Sequence, residues 1–361
     1  MRLRRLYGYG RCRLDRYLVR RAARIQIVIL LALCALALSQ NQQLSGLIRQ
    51  GQAALDSNDF ARAAASFEHA RQLAPDSLDA NRGLLLSYLQ LGRFDEAESI
   101  GQAAVARWPK DAELQHWLGL ACFKKSQNPE ALAALRRSES LDAAPYDIHF
   151  DIALVLLSDS NYSEAATELE KAVKIDPKAA LPHVLLGRAY QNTNRSMQAV
   201  EQFRIALRLD PHLPLGHYHL GFAYSSLGRN DEAIAEYEKE LPRSPNNPTV
   251  LYQLGRSQVE AGDWKPALEH LKKATEIDPR QADALYELGK ALLLQGDADG
   301  AMKALRQAIE LKPSDPSPHY QLSRALEKAG RKDEARQELE TFTTLKKAQP
   351  VTGGMAAGPI R

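Results

Sequence analysis

Nine alanines stand 34 residues apart without a break: Ala63, Ala97, Ala131, Ala165, Ala199, Ala233, Ala267, Ala301 and Ala335. A period held that long requires one structural unit used again and again, because each copy must place the same small side chain in the same surroundings. Two further rulers have the same spacing. Prolines mark Pro75, Pro109, Pro177, Pro211, Pro245, Pro279 and Pro313, with Ala143 at the one missing mark. Residues suited to turns occupy Asn58, Gly92, Ser126, Ser160, Asn194, Gly228, Gly262, Gly296 and Gly330. Glycine, and asparagine less often, accept the left-handed conformation that closes a helix. Serine accepts it less readily, so the third and fourth units are expected to turn differently.

Within a unit the apolar spacing is helical on both sides of the turn. Leu118-Gly119, Leu186-Gly187, Leu220-Gly221, Leu254-Gly255 and Leu288-Gly289 put a small residue on the first helix, facing the ruler alanine of the second. Small residues on facing helices let two antiparallel backbones approach, while Leu220, Tyr224 and Tyr237 fill the layers beside them.

The best-formed unit, residues 214–247, carries His217, Leu220-Gly221, Tyr224, Ala233, Tyr237, Glu240 and Pro245; the unit before it carries His183, Leu186-Gly187, Tyr190, Ala199, Phe203, Ala206 and Pro211. This pattern resembles the tetratricopeptide repeat family. The resemblance divides the chain into repeats 44–77, 78–111, 112–145, 146–179, 180–213, 214–247, 248–281, 282–315 and 316–349. It implies an all-α fold, a right-handed α-solenoid of about nine helix-turn-helix repeats over residues 44–349. No repeat buries its apolar face alone, so neighbours must stack into a continuous core. Departures are Gly101 in place of an aromatic, Glu240 in place of alanine, and Ala143. Pro242 is expected to end its helix early. Phe342 at a small-residue position and Lys347 at the proline position should stop the array. Residues 350–361 read as a flexible tail, and the last repeat's end is a candidate surface for self-association.

The resemblance also implies where a partner would bind. In this family the first helix of each repeat lines the concave face through its second, fifth, ninth and twelfth to thirteenth positions. The ninth positions run Gln52, Leu86, Leu120, Leu154, Arg188, Phe222, Arg256, Lys290 and Arg324; the twelfth include Leu89, Phe123 and Leu157. Repeats two to four therefore present an apolar stretch for an apolar segment. Repeats five to nine present a largely basic stripe flanked by Tyr218, Tyr252, Tyr286 and Tyr320, suited to an extended peptide bearing carboxylates. Pairing of the cations with Asp283 and Glu287 is the alternative for the stripe; cover by curvature or by the N-terminal segment is the alternative for the apolar stretch. The carboxylate clamp of the chaperone-binding members is not matched: its positions hold Ile48, Gln52, Arg82 and Leu86.

No catalytic motif, phosphate loop or cofactor site is legible, and an enzyme is not expected. Asp297-Ala298-Asp299-Gly300 resembles a fragment of a calcium loop, but Ala308 stands where the terminal ligand belongs. His149, His183, His217 and His319 share one repeat position, and nothing completes a metal-ligand set around them. Cys122 falls at a core position and reads as a buried thiol.

Net charge, +3 overall, is uneven. Residues 1–24 hold nine arginines against Asp15, a local +8, whereas the remainder holds 38 Lys and Arg against 43 Asp and Glu, −5. The body thus gives no reason to expect nucleic acid as a partner. Arg20-Arg21-Ala22-Ala23-Arg24 leads into the apolar run Ile27–Leu38 and then polar residues, the pattern of a secretory signal over residues 1–39. Cleavage is expected after Ser39, with a competing site after Ala37; initiation near Val19 would leave a signal of ordinary length. The run is shorter than the roughly 20 residues of a comfortable span, and an uncleaved tether through residues 25–38 is the alternative. The resulting expectation is a non-catalytic scaffold, exported to the periplasm or beyond, or membrane-anchored with its repeats outside the cytoplasm. The runner-up is a structural adaptor in an envelope assembly or export machine.

Overall fold

The turn ruler becomes a set of identical helix ends. All nine marks have positive φ, from 58° at Asn58 and Ser160 to 95° at Gly296. After each, the next residue's N–H returns to the carbonyl five residues earlier, as in Asp59 to Ala54 (2.8 Å), Gln127 to Cys122 (2.9 Å) and Asp263 to Gln258 (2.8 Å). This is the Schellman closure of a helix. Ser126 (φ 60°) and Ser160 (φ 58°) adopt it too, which corrects the expectation that repeats three and four turn differently. The closure is imposed by the pair of helices it joins, and local preference yields to it.

The computed structural model describes residues 36, 38–141 and 146–348. Among these every regular element is α-helical: α1 (38–56), α2 (Phe60–Leu73), α3 (Leu78–Gln90), α4 (Phe94–Arg107), α5 (Ala112–Lys124), α6 (Asn128–Leu141), α7 (Tyr146–Ser158), α8 (Tyr162–Ile175), α9 (Ala180–Asn192), α10 (Ser196–Leu209), α11 (Gly216–Ser226), α12 (Asn230–Glu240), α13 (Pro248–Ala261), α14 (Trp264–Ile277), α15 (Ala282–Gln295), α16 (Ala298–Leu311), α17 (Pro316–Lys328) and α18 (Lys332–Ala348). Odd-numbered helices are the first of each repeat and even-numbered the second. Ala143, most of the leader and the tail 350–361 lie outside the described residues. No described helix is long and apolar enough to cross a membrane.

The chain forms two compact units, Met1–Val155 and Leu156–Arg361. Inside each, helices pack in sequence order, α2 through α6 in the first and α8 through α18 in the second each lying against the next. First helices also touch one another directly, α3 with α5 and then α9, α11, α13, α15 and α17 in succession. Each unit thus has a layer of first helices and a layer of second helices, the tandem arrangement of an α-solenoid.

The ruler alanines fill the seam between the layers; none is more than 3% exposed. Four residues on from them Phe67, Leu135, Leu169, Phe203, Tyr237, Leu271 and Leu305 are fully buried, each contributing roughly 1.5–3 kcal/mol of apolar burial. The facing glycines are required by these side chains: a Cβ on Gly187 would stand 2.6 Å from Phe203, and one on Gly255 2.6 Å from Leu271. Repeat two departs from this pattern, and Leu118 of the next repeat's first helix lies over Gly101, 3.0 Å from where its Cβ would stand. Gly101 occupies the large position, and Leu85, fully buried, occupies the glycine position.

Repeat six is locally remodelled. Helix α12 stops at Glu240 ahead of Pro242, as the proline dictates, and spans 11 residues where α10 and α14 span 14. Its partner α11 also has 11 residues, because Leu215 at φ 56° delays its start. Glu240 is buried at the usual alanine position, with Ser244 Oγ donating to its Oε1 at 3.2 Å.

Candidate functional site

The first-helix layer of the second unit gathers the predicted stripe on α13, α15 and α17. Ninth-position side chains Arg256, Lys290 and Arg324 follow one another along it, beside fifth-position Tyr252, Tyr286 and Tyr320. Each cation already has a polar neighbour on its own helix. Arg256 Nε donates to Glu260 Oε1 at 3.1 Å, Lys290 Nζ to Glu287 Oε2 at 2.7 Å, and an Arg324 amino group to Gln321 Oε1 at 3.2 Å. Lys290 also lies 5.4 Å from the centroid of the Tyr286 ring. The alternative pairing is therefore half right. Glu287 does meet Lys290, whereas Asp283 is engaged at 2.7 Å by Lys312, away from the stripe.

Glu287 is itself buried. Burial raises its carboxyl above the ordinary range, with Lys290 pulling the other way. The Tyr252 phenol is pushed up to about 12 by burial, opposed by Arg256; that of Tyr286 is also raised by burial. These tyrosines stay neutral at physiological pH and serve as flat walls and hydroxyl donors.

Between α15 and α17 the side chains leave a cleft of about 270 Å³, lined by Val259, Glu260, Lys290, Leu293, Leu294, Gln321, Arg324 and Lys328. Lys328 reaches across to the Leu293 carbonyl at 3.0 Å. Three cations, one exposed leucine (Leu294, 53%) and an amide converge on it. Glu260, Leu294 and Lys328 hold the thirteenth repeat position, which the sequence offered as a lining position but which the ninth- and twelfth-position series passes over.

The other stripe residues are placed differently. Arg188 on α9 is half-buried and has no acid within ion-pair distance among the described residues. It faces His219, whose imidazole is driven down to about 4 by burial and by this guanidinium. Tyr218 is only 4% exposed and belongs to the core, which corrects its reading as a groove residue. It packs with Tyr237 (6.0 Å between centroids), His219 (5.3 Å) and Phe222 (6.4 Å), in one cluster with Val250 and Leu254 of the following helix. Phe222 is half-buried against the same cluster.

In the first unit Leu86 and Leu89 on α3, Leu120 and Phe123 on α5, and Leu154 on α7 are all half-buried, as is Leu157 in the second unit. None stands out as an open apolar surface. Polar groups interleave them: His116 Nε2 lies 2.6 Å from Asp151 Oδ2, tying α5 to α7, and Arg82 meets Asp111 and Glu113.

Three of the four ladder histidines tie the two helices of their own repeat together; buried His149 is placed differently, its Nδ1 3.6 Å from Glu139 Oε1 of the preceding repeat, so a carboxylate does stand beside this one imidazole, against the expectation. Nδ1 of His183, His217 and His319 lies 2.7, 2.6 and 2.6 Å from Gln202, Glu236 and Glu338, in each case 19 residues on. Cys122 is buried, its thiol raised to about 11 chiefly by that burial.

Comparison with known proteins agrees with this geometry. A tetratricopeptide repeat model matches residues 48–112, 86–148, 118–180, 184–248 and 252–316, and a second one residues 292–344. Over 146 residues the chain is 27% identical to anaphase-promoting complex subunit 3 of Schizosaccharomyces pombe (strain 972 / ATCC 24843), covering 40% of this chain and 22% of that protein. The chain thus spans about a fifth of the length of the curated relative it matches. Among solved structures, the APC/C hetero-tetramer Cut9–Hcn1 is similar with a TM-score of 0.50 at 18% identity, over 74% of this chain and 52% of that one. MamA is similar with a TM-score of 0.42 at 23% identity, over 45% of this chain and 95% of that one. With family matches running from residue 48 to residue 344 and helix pairs closing every 34 residues, this chain belongs to the tetratricopeptide repeat family.

Proposed function

We propose that this protein is a non-catalytic interaction scaffold whose first-helix face on α13, α15 and α17 holds an extended peptide segment bearing carboxylates. The observation that carries the reading is the cleft where Lys290, Arg324 and Lys328 converge beside exposed Leu294. Arginine and lysine there have carboxylate-binding geometry, and Tyr286 and Tyr320 supply flat apolar area at small entropic cost. Glu287 and Glu260 restrain Lys290 and Arg256 in the free protein. An incoming carboxylate competes with them, so the site favours segments with more than one acid.

Peptide display selected on the whole chain tests this. Segments containing Asp or Glu should be enriched, and binding should weaken about tenfold or more when Lys290 and Arg324 are both changed to Glu. Equal enrichment on both proteins would remove the proposal.

Residues 20–39 alone support the further reading that the repeats work outside the cytoplasm, either released by cleavage after Ser39 or tethered through residues 25–38; residues 1–35 and Ala37 lie outside the described residues. Sequencing the mature N-terminus decides it: a chain starting at Met1 in a soluble fraction contradicts export. The alternative, a structural adaptor in an envelope assembly or export machine, requires export and needs no different groove chemistry.

A further inference from the structure

The large residue of the second helix, fully buried in seven of the other eight repeats from Phe67 to Leu305, recurs in α18 as Leu339, and there it is 41% exposed. Tyr320 on α17 is 42% exposed. Phe342 stands where α16 carries Ala308; it is half-buried and leans on Tyr320 with ring centroids 5.3 Å apart. The face that the next repeat would cover is thus open among the described residues. Helix α18 is also longer than its counterparts, 17 residues against 14 for α16, because Lys347 stands where the others have proline. The added turn carries Lys346 and Lys347.

Leu339, Phe342 and Leu345 form one stripe at three-residue spacing. N-terminal to its middle α18 carries Asp333, Glu334, Glu338 and Glu340 against Lys332 and Arg336, a net −2, and C-terminal to it Lys346 and Lys347, +2. Such a stripe is self-complementary when two copies run antiparallel and is repulsive when they run parallel. We propose that this face is an interface between two copies of the chain, α18 against α18, related by a two-fold axis at Phe342. In that register Leu339 lies opposite Leu345 of the partner subunit, and Lys346 opposite Glu338 of the partner subunit, each pairing occurring twice. Glu338 has a free oxygen for this: His319 Nδ1 lies 2.6 Å from its Oε2, and no partner of Oε1 is found among the described residues. The charge pattern favours a second copy over an unrelated helix, because the pattern is its own complement. One helix-on-helix contact is a small interface, so dimerisation should have a dissociation constant in the roughly micromolar range.

Sedimentation of the full chain across concentrations tests the proposal. The mass should rise from one to two chains. Lys346→Glu or Glu338→Lys alone should weaken association about tenfold or more, and the double exchange should restore it. Leu339→Lys, at a site already exposed in the monomer, should abolish the dimer with helical content unchanged, which separates interface loss from misfolding. Phe342→Cys should give a disulfide joining two identical peptides. A chain monomeric at all concentrations overturns the proposal, as does a dimer indifferent to both single reversals or not restored by the exchange. Loss of the dimer on removing residues 349–361 would assign the contact to the tail and overturn it too.

Discussion

Ser160 shows how far a single residue can be held from its own preference. Its left-handed backbone, φ 58°, is one that an L-residue adopts at about 1–2 kcal/mol relative to the right-handed form, yet it closes α7 with the same bond as the glycines close theirs. Replacing it with glycine removes that penalty and adds some unfolded-state entropy. Ser160→Gly should therefore raise the unfolding free energy by about 0.5–1 kcal/mol, read from chemical denaturation; a decrease would mean that the serine hydroxyl holds the turn. At this scale sequence position and structure agree unevenly. The ruler alanines are buried as their period requires. Tyr218, Tyr252, Tyr286 and Tyr320 share one repeat position, yet their exposure runs from 4% at Tyr218 to 42% at Tyr320. Repeat position specifies which way a side chain faces. How deeply it is covered depends on the next helix, and that helix differs from repeat to repeat.

At the scale of elements, the groove on α13, α15 and α17 balances charges that the sequence presents as one-signed. Lys290 is held by buried Glu287, whose carboxyl is raised by desolvation. The sign follows from linkage. A carboxyl with a raised folded pKa contributes stability fully present below its unfolded pKa, and that contribution is lost as pH rises through the folded value. Glu287→Gln does not titrate, so the stability of the wild type relative to this variant should fall as pH rises above the ordinary carboxylate range. The same change frees Lys290, and binding of an acidic peptide should tighten about threefold. Denaturation across pH, with peptide titrations at neutral pH, checks both; a variant that binds more weakly would show that Glu287 orients the lysine. The cations of the stripe were legible because they recur every 34 residues. Their restraint was legible in part: Glu287, three residues before Lys290, is an acid the sequence offers as a partner, whereas Glu260, four residues after Arg256, emerges only when helical geometry brings the pair together. Likewise Gly101 reads as a defect until Leu118 of the next repeat's first helix is seen to lie over it, 3.0 Å from where its Cβ would stand.

For the whole chain, the period is the organising quantity. It runs unbroken through both compact units, and contacts inside each are between adjacent repeats. Stability of such an array is close to a sum of repeat and nearest-neighbour contributions. Removing residues 248–281, one full period, should leave a folded chain with proportionally less helix by circular dichroism. Removing only 248–264, half a period, takes out α13, sets two second helices, α12 and α14, in succession and should abolish cooperative unfolding; equal tolerance of both would contradict stacking of alternating first and second helices.

The face formed by α13, α15 and α17 is proposed to grip carboxylate-bearing segments. A photo-crosslinking amino acid at Leu294, inside the cleft, tests it most directly in the native cells, with a second one at exposed Lys303 on α16 as the comparison. The prediction is that segments captured from Leu294, read by mass spectrometry, carry Asp and Glu and are not captured from Lys303. Capture of the same segments from both positions, or of segments without acids from Leu294, would contradict it.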